Sequence, residues 1–310
     1  MNHSNCTSPD RYILLGLSEL PNLQVAYFLL FFVMYILTLL GNFLIILAVR
    51  INPRLQTPMY YFLSNLSLVD FGFCSNIVPK MLVNTLSNDK SISMIGCAVQ
   101  MFAYIGQGET ECVILAIMAY DRFAAICRPL HYNTIMNKKL CQFLVASSWS
   151  VCLMNSASHV ILMFGVRSFH SNKIRHFFCE VLPLLQISCR DTSLNRTNVY
   201  ISAVAIVSFS FLLTLSSYVG IVSTILKIRS SEGRRKTFST CGSHLTVVTL
   251  YYGTILFMYM RPPSSQSPET DKAVCLLYTA ITPMLNPFVY SIRNKDVKGT
   301  ITKDFFRFLK

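Results

Sequence analysis

The sequence predicts an all-α membrane protein: a seven-transmembrane helix bundle, one domain over residues 1–310, with a short amphipathic C-terminal helix. Three observations carry this. Of the 310 residues, 53% are apolar and only 13% charged, about half the ~25% usual for soluble domains. Mean hydropathy is +0.47. The apolar residues also lie in seven long blocks with almost no charge between their ends. A soluble chain of this size would have to hide that surface in one core, and single cores stop growing near this length. Disorder needs low hydrophobicity and is excluded.

A bilayer-crossing helix needs about 20 mostly apolar residues. Span one, Gln24–Val49, contains no Asp, Glu, Lys or Arg. Span two, Pro58–Pro79, contains Asp70 alone, and span three, Cys97–Tyr120, contains Glu109 and Glu111. Span four, Leu140–Phe164, and span five, Val199–Leu226, are again free of such charges. Span six, Phe238–Met260, has only His244, and span seven, Ala273–Ile292, has none. All are too long for barrel strands of about 10 residues. Backbone in lipid must satisfy its own hydrogen bonds, so each is a helix. Residues 293–310 mix Val297, Ile301, Phe305, Phe306, Phe308 and Leu309 with six basic residues and no cysteine. They predict a helix lying on the membrane surface without a palmitoyl anchor.

Seven crossings put the termini on opposite sides. The side holding 50–57, 121–139, 227–237 and 293–310 carries 17 Lys and Arg; the other carries 10. The positive-inside rule therefore puts the N-terminus, residues 1–23, outside. The inner side nets +13 and the outer side +3. The basic balance thus reads as an inner face meeting anionic lipid and acidic partners. No basic-aromatic stripe points to nucleic acid. The sequons at Asn2, Asn5 and Asn195 fall on the predicted outside, where glycans attach. Residues 1–23 lack an apolar stretch of signal-peptide length, so span one is expected to act as the insertion signal. No connection exceeds about 35 residues, and matched broken helices, the pointer to a transporter, are missing.

There are 11 cysteines. Cys74, Cys112, Cys141, Cys152, Cys241 and Cys275 lie in or beside spans, and Cys127 lies inside; such residues are usually small apolar fillers. The oxidising outer face holds Cys6, Cys97, Cys179 and Cys189. Four cysteines allow three full pairings, and arithmetic alone leaves the choice open.

Five stretches together resemble the olfactory receptors, in the large tetrapod-type group of rhodopsin-like G-protein-coupled receptors. They are Gly41-Asn42, PMYYFLSNLSLVD (58–70), MAYDRFAAICRPLHY (118–132), KTFSTCGSHLTVV (236–248) and PMLNPFVYSIRNKDVK (283–298). All but the first are long and specific, and they tile the chain. Ser217-Tyr218 and HFFCE (176–180) look similar too. The resemblance implies a Cys97–Cys179 disulfide. It also exposes a departure: Phe169 stands where such receptors usually carry a further loop cysteine. Cys189 loses that mate and is left either as a free thiol or as a partner for Cys6.

An Arg at a membrane boundary can simply snorkel to water. The resemblance implies more for Arg122: it pairs with Asp121 at rest and is freed when the inner helix ends separate. Asp70 and Glu111 are intramembrane acids, and each needs a partner, a proton or a cation. At 100° per residue, Tyr104, Glu111, Met118 and Arg122 fall within about 20° of one line on span three, facing the bundle interior. Two carboxylates there suit a shared Na⁺ or proton, with Asn42 and Asn286 as polar neighbours. A purely structural hydrogen-bonded pair is the alternative. Asn286-Pro287 reads as a hinge or a static kink. The resemblance implies that Tyr290 and Tyr218 swing inward on activation, and that Lys236 and its basic neighbours border the cleft for a G protein of the stimulatory olfactory type.

The family's ligand pocket lies in the outer half between spans three to seven. Carried onto this chain, its candidates are Tyr104, Ile105, Gly108, Ser202, Ile206, Tyr252, Ile255, Tyr259, Tyr278 and Thr279, with His159 weaker. Such a lining suits a small, mostly apolar odorant held by one or two hydrogen bonds. Glu109 matches no family motif. About 200° from Glu111, it turns toward spans four and five, roughly 18 Å of rise below Cys97. It is expected either to bond a backbone carbonyl or a Ser of those spans, or to anchor a polar or weakly basic odorant. His159 sits only about 7–8 Å below its own span end, so a direct pair with Glu109 is not expected.

Other functions fit poorly. A channel or transporter would need repeats or a polar pore line, and only the two-acid cluster fits. Span seven has no Lys for a retinal Schiff base, and Tyr104 stands where an aminergic receptor carries Asp. No HExxH, GxSxG or other catalytic spacing suggests an enzyme. No cofactor is expected beyond the candidate Na⁺.

Overall fold

The computed structural model describes residues 6–17, 21–165, 168–260, 268–293 and Gly299, without the side chains of 21, 22, 236, 239, 240, 259, 260, 268 and 291–293. Seven long helices make up the body. They are α1, Pro21–Ile51; α2, Pro58–Leu86; α3, Met94–Cys127; α4, Lys138–Phe164; α5, Ser193–Leu226; and α6, Ser231–Met260. The seventh, α7, joins Pro268–Leu276, a π-helical turn at Leu277–Ile281, and Thr282–Arg293. Each contains its predicted span and extends past it, because a helix need not stop where the hydrocarbon does. The predicted surface helix at 293–310 lies outside the described residues.

Capping chemistry sets several starts. Ser93 Oγ accepts from the Gly96 N–H at 3.0 Å to open α3, and Asn137 Oδ1 accepts from the Leu140 N–H at 2.9 Å to open α4. Pro58 occupies the first turn of α2, where a missing N–H costs nothing. Among the described residues, six helices are long and apolar enough to cross a membrane; α3 is the exception. It carries Glu109, Glu111, Asp121 and Arg122, and it packs against α2, α4 and α5. The helix with two acids inside its span is thereby shielded from lipid. On α1, by contrast, Leu29, Phe32, Val33, Leu40 and Phe43 point outward, as a multi-pass membrane protein requires.

The Pro287 site shows how local chemistry fixes packing. Proline has no N–H, so Pro283 loses its usual i+4 donor. Asn42 on α1 supplies one: its Nδ2 donates to the Pro283 carbonyl at 3.1 Å and to that of Thr38 at 3.0 Å. Gly41 permits the approach, since a Cβ there would lie 2.8 Å from the Pro287 Cβ.

Outside the bundle, three short strands form a sheet that the sequence reading did not predict. They are β1 (Arg11–Leu14), β2 (Ser91–Ser93) and β3 (Lys173–Ile174), in the order β2-β1-β3. β1 pairs antiparallel with β2 (Arg11 opposite Ser93) and parallel with β3 (Leu14 opposite Ile174). Tyr12 and Leu14 alternate inward and are fully buried. Four residues are too few for that alternation to stand out.

Two disulfides hold this layer: Cys97–Cys179, with Cα atoms 5.4 Å apart, and Cys6–Cys189, 6.2 Å apart. The free-thiol alternative for Cys189 therefore falls. Phe169 is buried, with its ring edge-on to Tyr12 at 5.5 Å. Its backbone pairs with Thr7 and Ser188, which brings the N-terminal segment beside Cys189.

Candidate functional site

A cavity opens in the outer half of the bundle, walled by α2 to α7 and by Glu180, Val181 and Leu182 of the loop after α4. Its volume of about 120 Å³, at roughly 10–15 Å³ for each water-sized centre, admits a molecule of about ten heavy atoms. Of the predicted lining, Tyr104, Ile105, Gly108, Glu109, His159, Ser202, Ile255 and Tyr278 are on the wall.

Three of the predicted lining residues lie off it. Ile206 belongs to a π-helical stretch, Ala203–Ser208. The wide turn advances the register by about 100° relative to a regular helix, so that beyond Ser202 and Ala203 the next residue facing the cavity is Val207 instead. Tyr252 packs its ring edge-on to Phe211 at 5.3 Å and donates to the Cys112 carbonyl at 3.3 Å. Tyr251 takes the wall, and its hydroxyl bonds the Gly108 carbonyl. Thr279 is buried, with Oγ1 donating to the Cys275 carbonyl at 2.7 Å. The Tyr259 side chain is outside the description.

Glu109 anchors a relay across three helices. Asn155 Nδ2 on α4 donates to Glu109 Oε1 at 2.6 Å, and Ser202 Oγ on α5 lies 3.0 Å from Asn155 Oδ1. His159 Nε2 lies 3.0 Å from the same Ser202 Oγ. Glu109 and His159 are thus linked indirectly, and the acid's partner is Asn155 rather than a serine or a backbone carbonyl. Asn155 stands one turn before His159, an i, i+4 spacing that marks one polar face. That was the available signal. Tyr104 and Tyr278 bond each other through their hydroxyls.

Over the cavity, His176 Nε2 lies 3.5 Å from Glu180 Oε2. Burial, with Lys272 adding to it, pushes the His176 imidazole down to about 3. Burial, then the nearby Asp271 carboxylate, pushes Glu180 up to about 7. At neutral pH His176 is therefore uncharged, and the contact is not an ion pair.

At the floor of the cavity, where Glu111 is part of the wall, lies the acid pair. Asn286 Nδ2 donates to Asp70 Oδ2 at 2.8 Å. Asp70 Oδ1, Glu111 Oε1, Asn42 Oδ1 and Asn286 Oδ1 are all buried, without a hydrogen-bond partner among the described residues. Glu111 feels the Asp70 charge. Four orphaned acceptor oxygens from α1, α2, α3 and α7 fit a cation or a shared proton.

At the inner end, Tyr132 donates to Asp121 Oδ1 at 2.8 Å, with the Arg122 charge nearby. Arg122 is buried and its side chain bonds Cys241 on α6. His244, given no role by the sequence reading, bridges three helices. Its Nε2 lies 3.1 Å from the Leu115 carbonyl and its Nδ1 2.7 Å from the Tyr218 hydroxyl. A carbonyl only accepts, so Nε2 carries the proton and Tyr218 donates to Nδ1. Tyr290 is buried near Arg122 and Tyr218. The Lys236 side chain, Asn2 and Asn5 lie outside the described residues. Asn195 is half-buried in the first turn of α5.

The olfactory receptor family profile matches residues 31–307. Olfactory receptor 1M1 of Mus musculus is 48% identical over 303 residues, covering 98% of this chain and 97% of its own. Olfactory receptor 1L4 of Homo sapiens is 48% identical over 302 residues, covering 97% and 96%. The olfactory receptor-like protein OLF3 of Canis lupus familiaris is 46% identical over 303 residues, covering 98% and 96%. With likeness of this depth over almost the whole length, the chain belongs to the olfactory receptor family.

Proposed function

We propose that this receptor binds small, mostly apolar volatile molecules in the outer cavity and activates a stimulatory olfactory-type G protein, raising cAMP. It acts at the plasma membrane with its N-terminus outside, in the cilia of olfactory sensory neurons, and as a signalling receptor rather than an enzyme. The observation that carries the reading is a continuous α3–α6 ladder from cavity to inner face. Tyr251 bonds the Gly108 carbonyl, Tyr252 that of Cys112 and His244 that of Leu115; Arg122 bonds Cys241. The α3 positions 108, 112, 115 and 122 are three, four or seven residues apart, so they share one face. A ligand pressing on Tyr251, Ile255 and Met258 acts on the top of this ladder. Its opening releases Arg122 into a cleft bordered by Lys236 for the G protein.

The acid pair Asp70 and Glu111, with Asn42 and Asn286, is proposed to hold a Na⁺ or a proton whose charge offsets the two carboxylates. Pro287 lets α7 bend when that site changes, and Tyr218 and Tyr290 move with it.

The test is cAMP in cells carrying the stimulatory olfactory G protein, exposed to a diverse volatile panel. Arg122→Ala is expected to abolish odorant-driven cAMP at measurable surface expression; undiminished signalling contradicts the assignment.

A further inference from the structure

The cavity is unevenly charged. Glu109, Glu111 and Glu180 all line it, whereas among the described residues no Lys or Arg does. Two of the three acids keep an oxygen without a hydrogen-bond partner among the described residues: Glu109 Oε2, and Oε1 of Glu111, which is only 1% exposed. The same lining includes the aliphatic Val199, Ala203, Val207 and Ile255. The relay fixes how Glu109 is presented. Asn155 occupies Oε1, Ser202 holds Asn155, and Oε2 is left for something else. A buried carboxyl oxygen without a partner in an apolar cavity calls for a donor, best a charged one.

Resting on the reading of this cavity as the odorant pocket, we propose that the receptor takes a protonated volatile amine, its ammonium on Glu109 and its hydrocarbon against α5 and α6, and rejects carboxylate odorants. The ammonium has three donors for Glu109 Oε2 and neighbouring acceptors, while a carboxylate brings more acceptor oxygens and a negative charge into a lining that holds acids and, among the described residues, no Lys or Arg. Glu109 lies more than one turn deeper than Tyr104 on α3. The aminergic position is therefore unused, and the acid sits at the floor of a small apolar chamber. Asn155 is a positioning residue: it contacts Glu109, not the ligand.

Surface-matched cells expressing the full receptor are exposed to matched C5–C8 amines, alcohols and carboxylates, linear and cyclic, with cAMP as readout. Amines are expected to act at the lowest concentrations and carboxylates not at all. Glu109→Gln should lower amine potency about ten- to hundred-fold and change the matched alcohol less than about threefold. Glu109→Asp, which keeps the charge, should preserve the amine preference even if the Gln variant reaches the surface poorly. Asn155→Ala should shrink the amine-to-alcohol potency ratio, which a general loss of folding does not move. A preferred carboxylate, a silent amine set, or amine potency indifferent to Glu109→Gln overturns the proposal. Ala203→Trp separates the two readings. It fills the cavity and should abolish every response; responses that survive it overturn the pocket assignment itself.

Discussion

Single residues in this receptor are read best where two groups titrate against each other. Glu180 is raised from 4.5 to about 7, so its contribution to stability is fully present below 4.5 and is lost as pH rises through 7. His176 is lowered from 6.5 to about 3, so its contribution is fully present above 6.5 and is lost as pH falls toward 3. Between about 4.5 and 6.5 the two slopes have opposite sign and cancel. Asp271 and Cys275 from α7 face Glu180, and Lys272 faces His176. Melting of the detergent-solubilised receptor against pH should therefore change when one member is removed. Relative to wild type, Glu180→Gln should add a loss of stability as pH falls from 6.5, and His176→Phe a loss as pH rises from 4.5. Parallel curves for both variants would refute the opposed slopes. Deeper in the bundle, Asp70 and Glu111 invite a double-mutant cycle. Removing charge at either should alter basal cAMP, and the double change should be non-additive because one ion or proton serves both. Full additivity with unchanged Na⁺ dependence leaves only a structural pair. Asp70 and Glu111 were legible from sequence because acids in apolar spans demand explanation. Asn155 was harder to see, since a neutral polar residue in a span costs less than an acid and only its i, i+4 spacing to His159 flagged it.

At the scale of helices, the sequence told span from connection well, because twenty apolar residues without charge have few other uses. What it missed are changes of helical register inside spans. The π-helical stretches at Ala203–Ser208 and Leu277–Ile281 add an extra residue per turn without any change in hydropathy. That is why Val207 replaced Ile206 on the wall. The α3–α6 ladder was likewise invisible, since its acceptors on α3 are backbone carbonyls that every sequence possesses. Two predictions belong here. Each rung stabilises the resting arrangement, by about 1 kcal/mol net for a neutral hydrogen bond. Tyr251→Phe and His244→Phe should therefore raise ligand-free cAMP severalfold, and unchanged basal signalling in both would show that the rungs do not hold the resting state. At the α1–α7 crossing, Gly41→Val should push the helices apart and lower surface expression sharply, because a Cβ there meets the Pro287 ring. Asn42→Leu should cost about 1–3 kcal/mol by orphaning the Pro283 carbonyl; a melting temperature unmoved by either substitution would count against this account of the kink.

For the whole molecule, the question is what the outer layer does for the cavity, and the two disulfides answer it differently. In the chain-entropy picture a crosslink stabilises by the logarithm of the loop it closes. Cys6–Cys189 spans 183 residues and Cys97–Cys179 spans 82. The longer loop gains under about 1 kcal/mol more by that measure, too little to rank the bridges. Packing ranks them. Cys97 and Cys179 are both fully buried, and the Cys179 N–H donates to Gln100 Oε1 at 2.9 Å. Phe177 and Phe178 pack beneath the loop, with the Phe178 ring 4.8 Å from Tyr104, and Glu180, Val181 and Leu182, which follow Cys179, are cavity wall. Cys6 is exposed and ties down a segment that β1, Tyr12 and Phe169 already hold. Losing Cys97–Cys179 therefore frees the roof of the pocket, whereas losing Cys6–Cys189 frees only its outer strap. Cys97→Ser should abolish surface expression and odorant response together. Cys6→Ser should lower the melting temperature by a few degrees and leave odorant rank order unchanged. The substitution of Phe169 for a cysteine obeys the same logic, since an apolar contact with Tyr12 serves where the strap is secondary. Equal loss of function in the two serine variants would mean that the N-terminal segment is itself part of the roof.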